Sequence, residues 1–191
     1  MCKIVHLTSE RFDIGANRFK HLLKEELEQR GIKVVLDYSY DIFNVFKKHN
    51  TYGISIAIDF YKDNSEGKGI IINKHCSEIS KAFSYNLSNI LDETLPTIKW
   101  RGISFVKSDD KIWYNFFNRV SSETKVILKL CTKTKKQEYF DYNSSVDKIV
   151  ELFSEEIVRC LRSDYNYITY QKRVELSRKK KNLVKYGVVK G

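Results

Sequence analysis

No apolar run in the 191-residue chain approaches the roughly 20 residues that a bilayer crossing needs, which excludes a helical membrane span. The start, MCKIVHLTSERF, has one Lys and a short apolar patch before charges resume. That is too little for a secretory signal, so synthesis in the cytoplasm is expected, with action at the cell wall only after release. Cysteine is sparse: Cys2, Cys76, Cys131 and Cys160 form no C-x-x-C pair, and zinc-ribbon and thioredoxin readings lose their support. Ordinary thiols of a reducing compartment remain. The four histidines, His6, His21, His49 and His75, are scattered, and the single proline, Pro96, serves only to close a helix.

Hydrophobic residues make up 42% and charged ones 30%, the balance of a folded chain about one domain long. The formal charge is +10. Residues 163–191 hold eight Lys or Arg against Asp164 and Glu175, so we divide the chain into a domain at 1–162 and a basic extension at 163–191. Two readings of that extension stay open. It is a solvated helix, or it contacts a polyanion such as nucleic acid, teichoic acid or phospholipid through Lys172, Arg173, Arg178, Lys179, Lys180, Lys181 and Lys185.

Along 1–162, apolar strand-like runs alternate with helical periodicity. KIVHL (3–7), IKVVLDY (32–38), ISIAIDFY (54–61), IIIN (70–73) and KVILKLC (125–131) read as strands, and ISFV (103–106) as a short extended piece. Helices are expected at 17–31 with Gly31 as its stop, at 39–50, at 76–94, at 111–120, and at 144–164 with Ser144 or Ser145 as N-cap. The fold class is α/β: a mostly parallel sheet of about five to six strands with helices on both faces. In such sheets chemistry gathers beyond the carboxyl ends of the strands, which singles out Asp59 and Lys129.

The order of motifs resembles the zinc-dependent N-acetylmuramoyl-L-alanine amidases of phage endolysins and cell-wall hydrolases. KIVHLTSERFDIGAN and RGIKVV stand where that family has its first strand, small-residue loop and helix end. Ser55 to Asp59 match its S-I-H-x-N strand, Gly67 to Gly69 its GKG, Arg101 and Gly102 its RG, and KVILKLC its last strand; VDKI is expected to open the final helix. The resemblance implies hydrolysis of the amide between lactyl-muramic acid and L-alanine by a zinc-bound water, with two His and one Glu as ligands and a second Glu as base.

Those residues are missing. Where the resemblance places the first His stand Ser9 and Glu10; where it places the second stands Ala57; the Glu ligand falls at Asp13 and the base at Lys129. Alanine has no donor atom, and an ammonium neither takes a proton from water nor tolerates a dication beside it. No catalytic residue, no metal ligand and no cofactor are therefore expected, zinc included. Lys129 is expected to pair with Asp59 or Asp13 in a metal-free pocket; the competing reading has Lys129 running along the sheet edge and Asp59 capping a helix. Trp100 and Arg101 are candidates for a groove wall.

Three functions follow. The first is a pseudoenzyme that binds peptidoglycan or a cell-wall, phage or spore protein. The second is an active amidase with an atypical site, and the third a nucleic-acid binder using its basic, Tyr-containing tail. The abundance of Lys, Asn, Ile and Tyr suits a low-GC Gram-positive bacterium or its phage.

Overall fold

A computed structural model describes residues 4–38, 52–61 and 67–162. The helix expected at 39–50, His49 and the whole basic extension lie outside the described residues.

Six strands form one sheet: β1 Ile4–Ser9, β2 Lys33–Tyr38, β3 Tyr52–Tyr61, β4 Lys68–Ile72, β5 Trp100–Phe105 and β6 Ser122–Thr132. Their order is β2-β1-β3-β6-β4-β5, parallel throughout except for β4 against β6. Four helices are described: α1 Ile14–Gln29, α2 Glu78–Thr94, α3 Lys111–Arg119 and α4 Lys136–Leu161. No described helix is long and apolar enough to cross a membrane.

Alternation along the strands sorts side chains between two cores. Ile54, Ile56, Ile58 and Phe60 of β3, with Val126, Leu128 and Leu130 of β6, join Phe19, Leu23 and Leu27 of α1, Phe83, Leu87 and Leu91 of α2, and Ile149, Phe153 and Ile157 of α4 in the main core. The opposite face is smaller, with Ala57 and Ile127 packed under Trp113, Phe116 and Phe117 of α3. Each fully buried side chain of this size contributes about 1.5–3 kcal/mol. The central strand β3 is buried from Tyr52 to Phe60, which is why its sequence is largely apolar, interrupted only by Gly53, Ser55 and Asp59.

Two helix starts differ from expectation. α1 begins three residues earlier, capped by Asp13, whose Oδ1 accepts from Ala16 N–H at 2.9 Å. α4 begins at Lys136, not after Ser144 or Ser145, and VDKI falls inside it. The extra turns are held by rings: Tyr142 packs edge-on against Phe60 at 5.2 Å and lies 6.0 Å from Tyr139. Packing thus extends the helix without a side-chain cap.

Candidate functional site

Register brings the site together. β3 and β6 pair so that Ala57 lies opposite Ile127 and Asp59 opposite Lys129, with all four on the face that α3 covers. The Lys129 ammonium donates to Asp59 Oδ2. The same oxygen accepts the indole N–H of Trp113 at 3.0 Å, and Asp59 Oδ1 accepts the backbone N–H of Phe60 at 2.7 Å. Asp59 is 3% exposed and the Lys129 side chain 12%, so the pair is shielded from bulk water and screened little by salt.

Above this pair opens a cavity of about 290 Å³, also lined by Glu10, Tyr61, Asp110 and Ile112. Tyr61 and Asp110 are shared with a second cavity of about 300 Å³, where Arg101, Gly102, Ser104 and Lys107 line the wall. Tyr61 has two cations near its ring: the Arg101 guanidinium is 4.7 Å from its centroid and the Lys129 ammonium 5.4 Å.

The other expected residues take structural roles. Ser9 Oγ donates to Asn17 Oδ1 at 2.7 Å. Asp13 caps α1 and pairs with Lys133 at 2.6 Å, not with Lys129. Ala57 is fully buried, and Trp100 packs against the main core, since strand alternation turns it away from Arg101. His6 is also fully buried, with Nε2 2.8 Å from Asp37 Oδ2 and its ring stacked on Tyr52 at 4.8 Å. His21 and His75 are exposed.

A catalytic zinc needs three protein ligands and an open position. The residues at the site do not fit one. Ala57 offers nothing, Ser9 is engaged, and Lys129 places a cation where a dication would sit. Asp13 Oδ2, buried without a partner among the described residues, is a single oxygen. No group of three or more His, Cys, Asp or Glu among the described residues could hold a metal ion.

Sequence reasoning missed two participants. Trp113 reads as a core residue because nothing local marks its N–H as the second donor to Asp59. Tyr61 was legible in part, since it follows Asp59 by two residues and so shares its side of β3.

No family model matches the chain, and no curated protein sequence does. Solved structures do. The catalytic domain of the CD27L endolysin, described as targeting Clostridia difficile, superposes with a TM-score of 0.63 at 14% identity, covering 81% of this chain and 96% of that one. The N-acetylmuramoyl-L-alanine amidase from Clostridium difficile 630 gives 0.64 at 10% identity, covering 85% and 98%. The CwlD amidase from Clostridioides difficile, solved in complex with the GerS lipoprotein, gives 0.57 at 12% identity, covering 81% and 98%. The six-stranded α/β fold built here is the fold of N-acetylmuramoyl-L-alanine amidases and endolysin catalytic domains.

Proposed function

We propose that the chain is an amidase-fold domain without hydrolytic activity and without zinc, acting by binding to the cell wall or to a protein partner there. The observation that carries this reading is the ion pair of Lys129 with Asp59 beside Ala57. A lysine held as the cation of such a pair has no lone pair with which to deprotonate water, and its charge repels a metal ion. What remains is a shaped site, two neighbouring cavities that share Tyr61 and Asp110 and have charged and aromatic walls, suited to holding a ligand. The lipoprotein bound to the CwlD amidase supports a protein partner for this fold.

Metal analysis of protein purified without chelator or added zinc tests the reading, together with incubation on purified cell walls. The expected result is zinc far below stoichiometry and no new amino termini, with the protein retained on walls or on a partner. Stoichiometric zinc, or amino termini released in proportion to enzyme, would overturn it.

A further inference from the structure

Strand β5 ends the sheet, and among the described residues only β4 pairs with it. The register between the two shifts before Ile103, and the ladder resumes through Phe105. Val106 N–H donates to Ile72 C=O at 3.0 Å. By two-residue alternation Ser104 also faces β4, so the N–H and C=O groups of Ile103 and Phe105 point outward. Their side chains share one face and are 39% and 57% exposed. An open backbone edge flanked by exposed apolar side chains is what an added strand covers.

Charge decides what that strand is. Lys99, Arg101 and Lys107 flank the edge; the nearest acids in sequence, Asp109 and Asp110, follow its end, and Asp110, which caps α3, shares the cavity wall with the two cations Arg101 and Lys107. Two copies of β5 paired antiparallel about Ile103 would set Lys99 against Lys107 twice. All eight Lys and Arg of the extension at 163–191 fall at 172–190. Like charges disfavour a second copy and that basic stretch as occupants.

We propose that β5 is a docking edge for an extended acidic segment of another protein. Its backbone would ladder with Ile103 and Phe105, its apolar side chains would cover theirs, and its carboxylates would face Arg101 and Lys107 across the cavity of about 300 Å³. This site shares no bond with the Lys129 pair, so its failure would leave the proposed function standing.

The test uses the full chain and a short fluorescein-labelled peptide in which valine and glutamate alternate. Saturable binding that weakens with added salt is expected, with slowed amide exchange at Ile103 and Phe105 but no change at Ser104 and Val106. Arg101→Glu, or a peptide with lysine replacing glutamate, should weaken binding about tenfold. Phe105→Pro removes an outward N–H at an edge that tolerates proline, and should weaken it similarly. Bound peptide without protection at Ile103 and Phe105, or equal affinity for the lysine peptide, would overturn the proposal. So would undiminished binding by folded Arg101→Glu protein.

Discussion

Asp59 ties three elements together, because one carboxylate accepts from β6 through Lys129, from α3 through Trp113 and from its own strand through Phe60. Removing one partner of a buried pair costs more than the pair is worth, since the remaining charge stays buried while desolvation has already offset much of the attraction. Asp59→Asn should therefore destabilise the fold by about 3 kcal/mol in urea unfolding, by stranding the Lys129 ammonium. Lys129→Met should cost less, because Asp59 keeps two N–H donors. The double variant should be more stable than the sum of the two losses implies, by about 1 kcal/mol or more. Strict additivity would show that the two side chains are not coupled.

Among the elements, β4 starts under a tight constraint. Gly67 has φ +126°, and a Cβ there would lie 2.4 Å from the Lys99 carbonyl oxygen, which accepts the Lys68 N–H. Gly31, past the end of α1, has φ +75° with nothing within 4 Å of an added Cβ. The two positions separate strain from collision. Gly31→Ala should cost about 1 kcal/mol, the price of a left-handed alanine. Gly67→Ala should cost about 3 kcal/mol or more, because backbone must move as well. Equal losses in denaturant midpoint at unchanged slope would show that β4 can shift to accept the methyl.

Across the whole molecule the two faces of the sheet are unequal. The main core joins α1, α2 and α4, whereas among the described residues the opposite core rests on α3 and a few strand side chains. Local opening follows buried contact, so α3 should exchange its amides faster than α1 and α4 under native conditions. Trp113→Phe keeps a ring in place but removes the N–H to Asp59. Exchange in α3 should then rise about tenfold further while the other helices hold their rates. A uniform rise in all helices would mean that both faces unfold as one unit.

The chain order of the described elements, the inward stripes of α1, α2 and α4, and the strand character of the buried runs were all legible from local periodicity, because each depends on neighbours three, four or two residues apart. The absence of a donor at Ala57 was legible too, as residue chemistry alone. Helix starts were less so: the rings of Tyr139 and Tyr142 hold the early turns of α4 against Phe60, a contact between distant segments. Which carboxylate Lys129 meets is decided only by the tertiary structure. Parallel pairing in one register sets Lys129 opposite Asp59, while Asp13, at the start of α1, is taken by Lys133. Sequence fixes which side of a strand a residue occupies, but not the strand beside it or the helix above, and those two choices make the pocket.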